Sequence, residues 1–225
     1  MPKNITASEI REAINEKLSR YFGISGNEAD AEQIYRATVL SVRDILAVRH
    51  KEFSEKVKAT GAKQVCYMCM EFLIGRSLKM NLCNLGIEEK YRKVLGSMGF
   101  SLEDIYEREP DPGLGNGGLG RLASCFMDSL SSGVYPARGY CILYEYGLFK
   151  QRIVDGERLE LPDIWLPEGE FWLVPRQDKS VTVRFGGKVR EEWKDGRCNV
   201  IYEDYDSVEA VPYDMLISGG VGEAV

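Results

Sequence analysis

Residues 111–121 read Asp-Pro-Gly-Leu-Gly-Asn-Gly-Gly-Leu-Gly-Arg, with five glycines between Gly113 and Gly120. Glycine gives up more backbone entropy on folding than any other residue, so a cluster this dense needs a local reason. Two reasons suffice: backbone at positive φ, or a main chain that lies close to something else. The residues after the run predict a helix. Asn116 is a good N-cap residue, and Leu119, Leu122, Ala123, Phe126 and Leu130 recur at helical spacing until Ser131-Ser132-Gly133 breaks the pattern. A glycine loop feeding a helix N-terminus presents free N–H groups at the positive end of the helix dipole, which suits an anion.

Gly113, Gly115 and Gly118 fit the Gly-x-Gly-x-x-Gly spacing of dinucleotide-binding turns, but the context does not. Such a turn follows a strand, whereas Ser101–Glu109 reads as a short acidic helix. It also needs an acidic residue about 20 positions on, where this chain has Arg138, with no carboxylate following it until Glu145. No Gly-Lys-Ser/Thr closes the run, so it is not a nucleotide-triphosphate loop either. A tight turn between helix and sheet would explain one or two glycines, not five. Arg121 in the first helical turn opposes the dipole by about 0.3–1 kcal/mol. A bound anion or a carboxylate partner such as Asp111 would each offset that, and the sequence leaves both open.

Helices come first along the chain and strands later. Thr6-x-x-Glu9 is a capping-box pattern, followed by the stripe Ile10, Ala13, Ile14 and Tyr21 and a stop at Gly23. A second helix is predicted over about 27–56, with Ala31, Ile34, Tyr35, Thr38, Val42, Ile45 and Leu46 on one face packed against its own domain. Val65 to Ile74 is nearly continuous apolar sequence, which predicts a strand buried on both faces of a parallel sheet and ended by Gly75. Helical stretches follow near 76–85 and 88–98. Beyond Gly133 the texture is strands and turns. Tyr140–Tyr144 and Leu148–Val154 flank a predicted hairpin turn at 145–147. Val181, Val183 and Phe185 alternate before Gly186-Gly187 turns the chain back, and Asp195-Gly196 makes a second turn before Cys198–Tyr202. Pro212 puts the last strand at an edge or a strand end.

Composition removes several function classes. The net charge of −6 argues against nucleic acid, whose phosphates demand clustered Lys and Arg. Six cysteines are scattered, and Cys66-x-x-Cys69 in a strand would face opposite sides, which disfavours a shared metal. Reduced, cytoplasmic thiols are the simpler reading. The N-terminus has no signal-peptide apolar core, and no stretch approaches about 18 uncharged apolar residues, so no membrane span is expected. The sole histidine, His50, is expected in a solvated or capping role. Trp165, Trp172 and Trp193 invite a sugar-stacking reading, but most aromatic residues are expected in the core.

Residues 109–129, Glu-Pro-Asp-Pro-Gly-Leu-Gly-Asn-Gly-Gly-Leu-Gly-Arg-Leu-Ala-Ser-Cys-Phe-Met-Asp-Ser, resemble the glycine-rich segment of the α-glucan (glycogen, starch and maltodextrin) phosphorylases. Three further segments resemble that family in the same order. They are Met70–Arg76, Gly139–Gln151 followed by Asp155-Gly156, and Val211–Met215. The resemblance as a whole covers about residues 31–217.

The resemblance implies an α/β fold: the Rossmann-like N-terminal domain of a GT-B type glycosyltransferase, here incomplete. Residues 1–60 would form N-terminal helices and 61–225 the incomplete catalytic domain. The glycine-rich loop would lie at 111–120 and a β-rich part at 139–217, with the C-terminal domain outside this chain. The implied activity is phosphorolysis of terminal α-1,4 glucosyl units by inorganic phosphate, giving glucose 1-phosphate. Pyridoxal 5'-phosphate would serve through its phosphate group. Its attachment lysine, the phosphate-holding basic residues and the active-site histidine belong to parts of the family chain beyond these residues, so the chain alone is expected to be inactive. By match, Asn116, Gly117, Gly118 and Leu119 would meet the phosphates and the glucosyl unit, with Arg121, Glu71 and Leu73 in support. No polar role transfers to position 73, where some relatives carry tyrosine. A homodimer is implied for the complete protein. A helix N-terminus contributes up to about 2 kcal/mol to a bound anion, which alone gives millimolar binding at best. The alternative is a truncated relative that binds glucan or pairs with a full-length subunit without catalysis.

Overall fold

The computed structural model describes residues 5–166 and 171–220. They form an α/β mix of helices and small sheets in two compact units, Met1–Trp172 with Leu216–Val225, and Leu173–Met215.

Capping fixes the first two helices. In α1 (Ala7–Phe22) the Thr6 hydroxyl accepts the Glu9 N–H at 3.2 Å while the Glu9 carboxylate accepts the Thr6 N–H at 2.7 Å, and Gly23 ends the helix at φ 68°. Asp30 and Gln33 make the same reciprocal pair at the start of α2 (Ala31–Thr60), which therefore begins later and ends later than its predicted range. The next helices are α3 (Ser77–Leu85), α4 (Glu88–Ser97) and α5 (Leu102–Tyr106). Ile10, Ile14 and Leu18 of α1, Ile34, Val39, Val42 and Leu46 of α2, Leu78 and Leu82 of α3, Tyr91 and Leu95 of α4, and Leu102 and Ile105 of α5 share one apolar core. Tyr21 does not join the stripe; it is exposed at the last turn of α1. Inside the core the Tyr91 hydroxyl meets the Ser41 hydroxyl at 2.9 Å, which satisfies two buried polar groups at once.

The run Val65–Ile74 is not one strand buried on both faces. Val65–Met68 forms β1, paired in parallel with β2 (Ala137–Tyr140) from Val65↔Ala137 to Met68↔Tyr140. The pair stands as a two-stranded sheet, with too few neighbours to cover it, and Val65, Cys66 and Met68 are exposed. The rest of the run, 69–76, is irregular chain crossing from the carboxyl end of β1 to α3. Ahead of β2 comes α6 (Leu122–Ser132), so the glycine run reaches the sheet through a helix.

The predicted hairpin turn at 145–147 is also displaced. The hairpin consists of β3 (Lys150–Val154) and β4 (Glu157–Leu161) around Asp155-Gly156, at φ 50° and 83°. Two central residues at positive φ give the primed turn that follows strand twist, and Asp-Gly is the sequence that adopts it. Gly147 is committed elsewhere: its N–H donates to the Asp163 carbonyl at 2.8 Å.

The second unit is a set of antiparallel pairs. The hairpin β7 (Lys188–Lys194) and β8 (Arg197–Glu203) turns at Asp195-Gly196, φ 52° and 75°, as expected. Gly186-Gly187 turns the chain without pairing its flanks, since β6 (Val181–Phe185) pairs with β9 (Asp206–Ala210) outside that hairpin. The unit closes where β5 (Val174–Pro175) meets β10 (Tyr213–Asp214), directly after Pro212. Arg176 ties the same place, at 2.7 Å from Asp178 and 2.8 Å from Asp214.

One buried carboxylate anchors the approach to the glycine run. Glu109 is 5% exposed, and its oxygens accept the N–H groups of Ser77 and Leu78, each at 2.8 Å, and the Trp172 indole N–H at 2.7 Å. Arg76 offers no side-chain cap to α3, so a residue more than thirty positions away caps it instead. Burial pushes the Glu109 carboxyl above its ordinary value, against the pull of the three donors. Glu109→Ala leaves those donors without an acceptor, at about 1 kcal/mol each, so unfolding in urea should show a loss of about 3 kcal/mol. A raised folded-state pKa is stabilising below the unfolded value and loses that contribution as pH rises through the folded one. Relative to Glu109→Gln, the wild type should therefore lose stability as pH rises above the ordinary glutamate value of 4.5, and a parallel pair of pH profiles would contradict this.

Candidate functional site

The five glycines divide into two sets. Gly113, Gly115 and Gly120 are buried or half-buried, while Asn116, Gly117, Gly118 and Leu119 are exposed as one continuous quartet. None of the five has positive φ. Close approach is the operative reason, and it applies to the first set. A Cβ on Gly120 would lie 2.9 Å from Glu71 Oε2 and 3.2 Å from Gly115 Cα. One on Gly115 would run into the same carboxylate oxygen, and one on Gly113 would lie 3.1 Å from Asp163 Oδ2. Gly117 and Gly118 have open space where a Cβ would stand.

The predicted helix start takes an unusual form. Gly117–Arg121 is a π turn that runs straight into α6. The Arg121 N–H donates to the Asn116 carbonyl at 3.0 Å, so the N–H groups of Gly117, Gly118 and Leu119 precede this bond at the positive end of the element. Asn116 occupies the cap position in extended backbone, but its side chain makes no capping hydrogen bond. The cap is supplied in reverse, because Glu71 Oε2 accepts the Asn116 N–H at 2.5 Å.

Segment 69–76 is the brace of the whole arrangement. The Leu73 N–H donates to the Gly120 carbonyl at 3.0 Å, and the Arg121 guanidinium donates to the Leu73 carbonyl at 3.2 Å. On its other side the Met70 carbonyl accepts from the Tyr144 hydroxyl at 2.8 Å and the Cys141 thiol at 3.1 Å. A second brace holds the start of the run, where the Leu148 N–H donates to the Gly113 carbonyl at 2.7 Å. The turn thus lies at the carboxyl end of β1, where parallel sheets place their ligand sites.

Of the seven sequence-derived site residues, the fold brings Asn116, Gly117, Gly118, Leu119, Arg121, Glu71 and Leu73 into one neighbourhood. Leu73 acts through its backbone. Arg121 is paired neither with Asp111 nor, among the described residues, with any carboxylate within 4.0 Å. It does lower the Asp128 pKa, although burial, the larger influence, leaves that carboxyl raised. Asp163 and the backbone of Met70 escaped sequence reasoning, because each acts on a segment distant in the chain. The apolar spacing after the turn also misled. Ala123 and Ser124 are the residues α6 buries, whereas Leu119, Leu122 and Phe126 are about half exposed.

His50 is exposed on α2, 3.4 Å from the Ser54 hydroxyl, and all six cysteines carry free thiols. Among the described residues no cluster of His, Cys, Asp and Glu could hold a metal ion, and no helix is long and apolar enough to cross a membrane.

The sequence profile of the carbohydrate phosphorylases matches residues 95–225. The chain is 41% identical over 215 residues to a glycogen phosphorylase of Pasteurella multocida, covering 96% of this chain and 26% of that one. It is 46% identical over 186 residues to glycogen phosphorylase 2 of Dictyostelium discoideum, covering 82% and 19%. With the chloroplastic/amyloplastic alpha-1,4 glucan phosphorylase L-2 isozyme of Solanum tuberosum the identity is 42% over 201 residues, covering 87% and 20%. The chain thus spans about a quarter or less of these relatives' length. By profile and by identity alike, it belongs to the carbohydrate phosphorylase family.

Proposed function

We propose that the chain is the N-terminal part of a glycogen or α-glucan phosphorylase, and that its glycine turn binds phosphate in the cleavage of terminal α-1,4 glucosyl units by inorganic phosphate. The observation that carries this reading is the exposed quartet Asn116–Leu119, braced from behind and open in front. The N–H groups of Gly117, Gly118 and Leu119 receive a phosphate and the glucosyl unit, and the missing side chains let a ligand reach the backbone. Glu71 holds the turn, and Arg121 contributes a positive charge at the same end. Glucose 1-phosphate is the product.

Pyridoxal 5'-phosphate fits such a turn, since Gly117 and Gly118 leave room for a phosphate against the main chain. When bound, it supplies a phosphate that exchanges a proton with the substrate phosphate. These residues hold and orient the phosphates, while the attachment lysine comes from the part of the family chain beyond them. Residues 61–225 would then be the start of an incomplete GT-B catalytic domain of Rossmann-like kind, preceded by the N-terminal helices at 1–60. The complete protein acts on glucan in the cytoplasm as a homodimer, and the chain alone does not turn over substrate.

Peptides from residues 111–129, followed by mass in the source cells, should report a protein several times heavier than 225 residues. A native product of this length would contradict the proposal. In the full-length protein, Gly118→Ala should lower kcat for glucose 1-phosphate release about tenfold or more, with unfolding free energy unchanged within about 0.5 kcal/mol because the added methyl meets nothing. Full activity in that variant removes the phosphate-binding role.

A further inference from the structure

Glu71 is an odd neighbour for an anion-binding turn. Its negative charge sits against the backbone at the point where a phosphate is proposed to bind, which by Coulomb's law works against the ligand. Its geometry gives it a different use. The carboxylate accepts the Asn116 N–H at 2.5 Å, the N–H just before the exposed glycines. It fills the space left by the missing side chains of both Gly115 and Gly120, which flank those glycines. A Cβ on Gly120 would lie 3.3 Å from Glu71 Cδ, and one on Gly115 would lie 3.1 Å from Glu71 Cβ. Two residues further on, Leu73 takes hold of the Gly120 carbonyl. The two ends of the π turn are therefore fixed by one short segment, and the carboxylate is the contact that touches both.

We propose that Glu71 is a positioning residue for the phosphate step: its carboxylate pins the π turn and aims the N–H groups of Gly117 and Gly118 outward. The proposal rests on reading this turn as the phosphate-binding segment. Glu71 acts through the backbone of residues 115–120 and transfers no proton. A charge-assisted bond to N–H is stronger than a neutral one, which suits a pin. The charge itself is dispensable, since a glutamine at this position offers an oxygen to the same N–H in a side chain of the same shape.

The test uses the full-length phosphorylase that carries this segment, assayed for glucose 1-phosphate release with phosphate and glucan varied separately. Glu71→Ala should lower kcat about tenfold or more and raise KM for phosphate, with KM for glucan unchanged. Glu71→Gln should restore kcat to within about threefold of wild type, with KM for phosphate at or below the wild-type value. If Glu71→Ala does not fold, Glu71→Asp, one methylene shorter, should give the same split. A cycle with Gly120→Ala adds an independent reading: the double variant should lose less than the product of the single losses, because both changes break one contact. Equal impairment of the Gln and Ala variants overturns the proposal, as does an additive cycle. A wild-type enzyme that releases glucose 1-phosphate while Glu71→Ala keeps its constants overturns the pin alone. A wild type that releases none overturns the functional reading and the pin with it.

Discussion

The contact between the Glu71 carboxylate and the backbone of the glycine turn organises much of its surroundings. It requires Gly115 and Gly120 to have no side chain, and it replaces the missing side-chain cap at Asn116. It also requires the chain after β1 to be irregular, because a strand continuing through residue 74 would carry Glu71 away from the turn. The short, exposed β1 is thus the counterpart of a long crossing segment whose backbone groups are spent on its neighbours. The Leu73 N–H goes to Gly120, the Leu73 carbonyl to Arg121, and the Met70 carbonyl to Tyr144 and Cys141. Backbone groups that a wider sheet would have paired find partners in loops.

A second carboxylate does related work at the other end of that segment. Glu109 caps α3 from across the fold and fixes the Trp172 ring with the same oxygens. Glu71 and Glu109 therefore bracket the chain from 69 to 78, each occupying the N-terminal end of a helical element with an internal anion. One is buried and satisfied on three sides. The other is half-exposed and leaves the glycines beside it open. On the proposed phosphate-binding reading, the anion site is made by satisfying part of a helix terminus and stopping there.

Local features were the legible ones. The Thr6-x-x-Glu9 capping box, the Gly23 stop and the Asp195-Gly196 turn each depend on residues within four positions of one another, and each was readable. The candidate quartet Asn116–Leu119 came from the resemblance of its segment to the family's glycine-rich one, and the structure leaves it exposed as one stretch. Other failures were set by distant partners. Burial of Val65–Ile74 depended on how many strands stand beside it, which the run itself does not encode. Gly186-Gly187 looked like a hairpin turn, yet β6 finds β9 across the intervening hairpin. The role of Gly115 was visible only once Glu71, forty-four residues earlier in the chain, was placed against it.

The π turn has a mechanical consequence for α6. A π turn closes its hydrogen bond over five residues where an α-helix closes it over four, so it takes in an additional residue, and each residue turns an α-helix by about 100°. Every side chain after Arg121 is therefore rotated about the axis relative to an unbroken α-helix. In the phase observed, α6 turns Ala123 and Ser124 inward and leaves Leu122 and Phe126 about half exposed. The number of residues in the turn is thus a gear setting: it couples the aim of the open glycines to the face that α6 presents along its whole length, so neither can drift without the other.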